Sequence, residues 1–257
     1  MSVSLVVPTF NEELNIGYVL EALPAGIDEI ILVDGGSTDE TVQKAKSFIP
    51  EIRIIQQVRK GKGNALVAGF HSASCDRIVA IDADGSMDPA EISAFIEAMD
   101  AGADYVRGSR FLPGGGSSDI TALRTLGNQF LNGVGNIFFH THYTDLCYGF
   151  NAMTKSSVSV LGFPDPFDAS LGRVWGDGFE IETMMSIRAV KARLRIAEVP
   201  SFESNRLNGE SNLNTFRDGS RCLRTLFAEK LSPAHIGADS VASVGQPPVF
   251  GAGSELS

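Results

Sequence analysis

The sequence predicts an α/β protein, a mostly parallel β-sheet flanked by helices. Three features of the 257-residue chain carry that reading. Short apolar runs alternate with segments of helical period over the first 110 residues, the pattern of βαβ units with right-handed crossovers. The run Ile78-Val79-Ala80-Ile81 has no polar alternation and reads as a strand buried on both faces. Asp34, Lys62, Asp82, Asp84 and Arg110 all fall at strand ends, on the carboxyl rim where such sheets bind ligands.

Taken in order, residues 3–7 form the first strand, closed by Pro8. Asn11-Glu12-Glu13 opens a helix whose Ile16, Val19, Leu20 and Leu23 recur at i, i+3, i+4 and i+7. Residues 29–33 are a second strand ending at Asp34-Gly35-Gly36, and Ser37-Thr38-Asp39-Glu40 follows with capping-box spacing. Residues 52–55 are a third strand, and Arg59-Lys60-Gly61-Lys62-Gly63 leads into a helix through about Ala73. The strand at 77–82 precedes a helix with Asp88 as N-cap, Pro89 in its first turn and Glu91 at the box position. Its Ile92, Phe95, Ile96 and Met99 form the buried stripe, and residues 104–108 are a fifth strand.

Beyond residue 110 the pattern loosens. The segment from Leu112 through Gly114-Gly115-Gly116 to Ser118 reads as a mobile loop beside the rim. A glycine-weakened helix with Arg124, Leu126, Phe130 and Leu131 follows, then a strand at 146–153, a helix at 179–191, a strand at 194–202 and a last helix at 211–231. From Pro233 the chain turns to Pro, Gly, Ser and Ala, and disorder is expected to Ser257. The reading is of one domain over 1–231, with halves at 1–110 and 111–231, and a tail at 232–257.

Composition narrows the function. A charge of −10 excludes a general nucleic-acid binder, which needs a basic footprint. Residues 185–231 hold nine Lys and Arg against five acids, so this segment is about +4 in an acidic chain. Three cysteines without metal spacing suggest reduced thiols and a cytoplasmic protein. Met1 to Phe10 show no signal peptide, and no run reaches the roughly 18 apolar residues of a membrane span.

Asp82 and Asp84 carry the chemistry. Two residues apart at the end of an apolar strand, they share one side of an extended backbone and repel unless a cation lies between them. Hard oxygen ligands in low number suit Mg2+ or Mn2+, which complete their shell with water and substrate phosphates.

The pieces VVPTFNEELNI, ILVDGGSTDET, RKGKGNALVAGF, AIDADGSMDP, VRGSRFLPGGG, DLCYGF, GFEIE and EVPSFESNRLNGES run in one order over residues 3–212. In that order the sequence resembles a family 2 glycosyltransferase of the GT-A fold, most similar to soluble dolichol- and polyprenol-phosphate mannose synthases. The resemblance implies a nucleotide-sugar-binding half at 1–110 and an acceptor-binding half at 111–231. It matches Pro8, Thr9, Asn11 and Glu12 to the first nucleotide-contacting loop and Asp34 to the acid that binds the base. Lys62 and Ala83 fall on the donor side, and Asp82 and Asp84 match the metal pair, where Mg2+ or Mn2+ would bridge the donor diphosphate. Arg110 and Arg124 match two arginines that grip an acceptor phosphate, a task suited to the planar guanidinium fork; the ordinary alternative is arginines paired with acids. Arg206 resembles the arginine of a loop closing over the diphosphate.

Four departures stand out. Ser86 occupies a further metal-side position, Asn212 follows Ser211 where the family has lysine, Lys62 replaces leucine, and Leu146-Cys147-Tyr148 replaces a small Thr/Ser run. Asp145 and Glu180 are open between general base and loop support; an ionised phosphate acceptor needs no base. Trp175 could stack a sugar or cover core, and His140 and His142 lack a third metal ligand.

The implied activity is inverting transfer from GDP-mannose to a polyprenyl phosphate. The alternative is a UDP-sugar given to a hydroxyl on a small molecule or glycan. A nucleotidyltransferase would need a Gly-rich triphosphate loop, which Val7-Pro8-Thr9-Phe10-Asn11 does not offer; a non-catalytic nucleotide-sugar sensor is the remaining reading. In the last helix Arg217, Arg221 and Arg224 make a cationic stripe opposite Phe216, Leu223, Leu226, Phe227 and Leu231. It is either a helix packed on the domain or a peripheral contact with the inner face of the membrane.

Overall fold

The computed structural model describes residues 1–209 and 214–232. The Ser211-Asn212 departure and the tail expected to be disordered from Pro233 lie outside the described residues. At the centre is β1 (Val3–Thr9), with β2 (Glu29–Asp34) and β4 (Arg77–Ala80) parallel on its two sides and β3 (Arg53–Gln56) parallel beyond β2. Further on, β5 (Tyr105–Ser109) pairs in parallel with β8 (Ile196–Pro200). The one reversed strand, β7 (Asn151–Thr154), lies between β4 and β5, giving the order β3-β2-β1-β4-β7-β5-β8. The sheet is mostly parallel, as the alternation predicts.

Both faces of the central strands are covered. Leu5 and Val7 point into one apolar layer with α1 (Ile16–Glu21), α2 (Thr41–Phe48) and α4 (Ile92–Asp100); Val6 points into the other, with α3 (Lys62–Ser72) and α7 (Ile181–Lys191). Full burial of one such side chain is worth about 1.5–3 kcal/mol, so strands without polar alternation are stable only when sandwiched. A third cluster joins α5 (Ala122–Phe139), α7 and α8 (Thr215–Leu231) through Leu131, Leu146, Ile187 and Leu226. A short α6 (Lys155–Val160) completes the helices.

Several expected boundaries move, each for a local reason. The first helix starts at Ile16 rather than Asn11, because residues 11–13 spend their polar groups on the start of α2. Asn11 adopts a left-handed φ of 55° and its Oδ1 accepts from the Thr38 amide, while the Glu12 amide donates to Thr41. The capping box at 37–40 does not form; the Asp39 carboxylate accepts from the Thr41 amide instead. Asp88 does cap, accepting from the Ala90 amide, but Glu91 turns away and accepts from Ser201 and the Phe202 amide. The strand at 77–82 ends at Ala80, and 194–202 divides into β8 and β9 (Phe202–Glu203).

Two larger corrections shape the site. The Gly-rich stretch expected to be a mobile loop is tied down: β6 (Gly116–Ser117) pairs with β9 as a small second sheet. The strand expected at 146–153 survives only as β7. Arg107, fully buried on β5, donates to the carbonyls of Asp145, Tyr148 and Glu182 and to the Ser186 hydroxyl. One guanidinium thus takes the carbonyls that a neighbouring strand would otherwise need, and the chain curls around it. That curl aims residues 145–149 at the carboxyl rim.

Candidate active site

A cavity of about 740 Å3 opens at the carboxyl rim. Its walls come from the loop after β1, the loop after β2, the loop after β4, the start of α3, and the inner faces of α5 and α8. Of the residues singled out by sequence, Pro8, Thr9, Glu12, Lys62, Asp82, Ala83, Asp84, Arg110, Arg124 and Arg206 line it. Four do not. Asn11 faces a smaller neighbouring cavity of about 280 Å3. Asp34 sits at the rim, but its carboxylate is buried and accepts from the Ser37 amide at 3.1 Å, so Gly35, Gly36 and Gln57 form that wall instead. Asp145 and Glu180 lie behind the wall, each fully buried against an arginine.

The floor is a three-membered charge cluster. Lys62 Nζ lies 2.8 Å from Asp82 Oδ2 and 2.9 Å from Glu182 Oε1. Gly149 makes room for it: a Cβ there would stand 2.7 Å from the ammonium. Burial works against the Lys62 charge, yet the two carboxylates outweigh it and hold Lys62 well above its ordinary range. Burial pushes both the Asp82 and Glu182 carboxyls up, against the pull of Lys62. Glu182 was not singled out by sequence. Its signal is present in GFEIE, where it stands two residues beyond Glu180.

Asp84 is held apart from this cluster. Its Oδ1 accepts from the Ser86 amide and hydroxyl, and its Oδ2 lies 3.6 Å from Arg206, which also pairs with Glu12. Asp82, Asp84, Glu12 and Glu182 set four carboxylates against two cations, Lys62 and Arg206. Arg206 Nε is buried without a hydrogen-bond partner among the described residues. A buried donor left unsatisfied costs about 1–3 kcal/mol or more, so this edge of the cavity is set for an anionic oxygen. No group of three or more protein metal ligands gathers among the described residues, and His140 and His142 are exposed away from the cavity.

On the other wall the two phosphate-gripping candidates are already paired. Arg110 donates to both oxygens of Asp145, at 2.7 and 3.0 Å, and to Glu203 at 3.0 Å; its guanidinium lies 4.8 Å from the Tyr148 ring centre. The β6–β9 pairing delivers Glu203. Arg124, more exposed, pairs with Asp119 at 2.9 Å. Glu180 accepts from Arg221 and from the Gly176 amide; these bonds outweigh burial and keep its carboxyl below the usual range. Trp175 covers structure rather than the cavity: its Nε1 donates to Thr225, and Arg221 and Arg224 stack on its ring. The cationic stripe predicted for the last helix is therefore split, with Arg221 turned inward.

Residues 4–162 match the family model for Glycosyl transferase family 2. The chain belongs to this family. A dolichol-phosphate mannosyltransferase of Pyrococcus furiosus is 30% identical over 83% of the chain, which spans 59% of that longer protein. An undecaprenyl-phosphate mannosyltransferase of Micrococcus luteus is 28% identical over 83% of the chain and 88% of its own length. Among solved structures, glucosyl-3-phosphoglycerate synthase of Mycobacterium tuberculosis, in complex with Mn2+, UDP and phosphoglyceric acid, superimposes with a TM-score of 0.68 at 22% identity, covering 90% of this chain and 79% of that one. The fold is GT-A, and the protein is a glycosyltransferase.

The floor cluster makes a stability prediction. Lys62→Met strands the buried Glu182 and the partly exposed Asp82 and is expected to cost roughly 3 kcal/mol in urea unfolding. Adding Glu182→Gln should return part of that loss, because the second change removes one of the stranded charges. Strictly additive losses would show that the three groups do not act together.

Proposed function

We propose that the protein transfers a sugar, with inversion, from a nucleotide-sugar donor to a polyprenyl phosphate, with GDP-mannose as the favoured donor. The observation that carries this reading is that Arg110 and Arg124 line the same cavity as Asp82, Asp84 and Arg206. The named activities of the Pyrococcus and Micrococcus relatives support it. The acceptor phosphate would take the place of Asp119 on Arg124 and of Glu203 on Arg110, while Asp145 holds the Arg110 fork in orientation. A phosphate oxygen, already ionised, attacks the anomeric carbon. The bond from that carbon to the donor diphosphate breaks, and the nucleoside diphosphate leaves with the electron pair. No base is required, and Asp145 and Glu180 serve as supports of arginines.

On the donor side, Arg206 Nε would meet a diphosphate oxygen, and Pro8, Thr9, Gly35 and Gln57 would border the nucleoside. The residues present fit a divalent cation: Asp82 and Asp84 carry hard oxygens, and two negative charges around them are unmatched. Mg2+ or Mn2+ there would be held by Asp84 and Asp82 and would supply charge stabilisation to the leaving diphosphate.

A second reading, a UDP-sugar given to a hydroxyl acceptor, is favoured by one observation. The Arg110 fork is fully occupied by Asp145 and Glu203. Transfer assays separate the two. Polyprenyl phosphate should accept sugar where the unphosphorylated polyprenol does not, Asp84→Ala should abolish turnover, and Arg110→Lys should cut it at least tenfold with donor affinity nearly unchanged. Equal use of the two lipids, or an unaffected Arg110→Lys enzyme, would favour the hydroxyl acceptor.

We also propose the surface on which a lipid acceptor is met. Leu123, Leu126, Phe130 and Ile137 of α5 are 55–74% exposed and fall within roughly 60° of one another around the helix axis. Phe216, Phe227 and Leu231 of α8 are also exposed, and Phe227 touches Phe138 of α5. Arg217, Arg224 and Lys230 are exposed on α8, whose acids Asp218 and Glu229 are buried; α5 carries no acid. Apolar groups with cations and no exposed acid suit an anionic bilayer, at about 1 kcal/mol per cation near the surface. No helix among the described residues is long and apolar enough to cross a membrane. The protein should float with anionic vesicles at low salt and release as salt rises, and a Leu126→Ser, Phe130→Ser, Ile137→Ser variant should lose flotation. Wild-type protein left in the dense fraction would remove this face from the account.

A further inference from the structure

Cys147 and Cys222 face the same cavity from elements 75 residues apart in sequence: the loop that curls around Arg107, and the middle of α8. Cys147 packs on the apolar cluster to which Cys222 belongs. Each thiol shifts the other, Cys222 down and Cys147 up, and the Thr183 hydroxyl adds to the lowering of Cys222. Neither thiol has a task in sugar transfer as described above, and a small apolar residue would fill either place. The third cysteine, Cys75, is buried at the start of β4, away from the cavity, and provides an internal control.

We propose that Cys147 and Cys222 form a thiol-modification site in the cavity wall, which reacts with low-molecular-weight disulfides and closes to an intramolecular disulfide. The cavity admits the reagent. The Cys222 thiolate attacks one sulfur of R–S–S–R, forming Cys222–S–S–R and expelling R–S−, which takes up the proton Cys222 gave up. Cys147 then attacks the Cys222 sulfur, the second R–S− leaves with the Cys147 proton, and the Cys147–Cys222 bond is made. Two thiols are oxidised and one reagent disulfide is reduced to two thiols. The bond fastens the 145–149 loop, which carries Asp145 and Tyr148 against Arg110, to α8, which carries Arg221 against Glu180. The wall of the cavity is then fixed covalently. This inference is independent of which donor and acceptor the enzyme uses.

The test is exposure of the full-length protein to 2-hydroxyethyl disulfide, followed by non-reducing digestion and mass spectrometry. A peptide pair linked through Cys147 and Cys222 is expected, at least tenfold more abundant than any linkage involving Cys75, and dithiothreitol should remove it. Cys147→Ser should stop at a mixed disulfide on Cys222. Should that variant fail to fold, the linked pair in the wild-type protein decides alone. Recovery of Cys147 and Cys222 as free thiols after prolonged exposure, or linkage through Cys75 in equal yield, would overturn the proposal.

Discussion

One ammonium shared by the buried Glu182 and the partly exposed Asp82 sets the floor on which the rest of the cavity is built. Lys62 starts α3, Asp82 follows β4 and Glu182 opens α7, so their contact fixes three elements from distant parts of the chain at one point. Withdrawing these charges from water is costly, and the arrangement persists because each has a partner at hydrogen-bonding distance and Gly149 leaves the space. Removing the ammonium would leave Asp82 and Glu182 facing one another with no cation between them. The constraint also has a chemical result: with Lys62 engaged, Asp82 and Asp84 sit side by side without collapsing the rim.

The opposite wall follows the same logic with arginine. Arg107 holds the curled 145–149 segment by its carbonyls, and that segment presents Asp145 to Arg110. Arg221 does the equivalent for Glu180 and the loop before α7. Bidentate arginine–carboxylate pairs are directional, so each fixes an orientation as well as a distance. The cavity is rigid where arginine meets acid. The Arg124–Asp119 and Arg110–Glu203 pairs differ in that Arg124 and Glu203 remain partly exposed.

What was legible in the sequence was local. Apolar runs, helical periods and the Asp88 cap depend on neighbouring residues, and the parallel sheet with its ligand-binding rim followed from them. The family motifs placed ten of the predicted site residues on one cavity. The misses share a cause: the deciding partner lies far away in sequence or competes at short range. The capping box expected at 37–40 was lost to such short-range competition, because the Asp39 carboxylate takes the Thr41 amide. The strand expected at 146–153 was lost to a guanidinium some 40 residues earlier. The glycine run looked loose because its pairing partner, Phe202–Glu203, is more than 80 residues downstream. Glu182 was hidden in plain view, since nothing local marks it as the second carboxylate on Lys62.

Charge decides what the rim can hold. Around the Asp82–Asp84 pair, the four carboxylates of Asp82, Asp84, Glu12 and Glu182 face Lys62 and Arg206, and a diphosphate would add further negative charge that the Nε of Arg206 alone does not balance. A divalent cation and a nucleoside diphosphate should therefore each require the other, and their coupling must be reciprocal. Calorimetric titration of GDP and of UDP, with Mn2+ and then with EDTA, measures that coupling directly. At least one of the two nucleotides should bind at least tenfold more tightly with Mn2+. Equal affinity in EDTA for a nucleotide that does bind would contradict it.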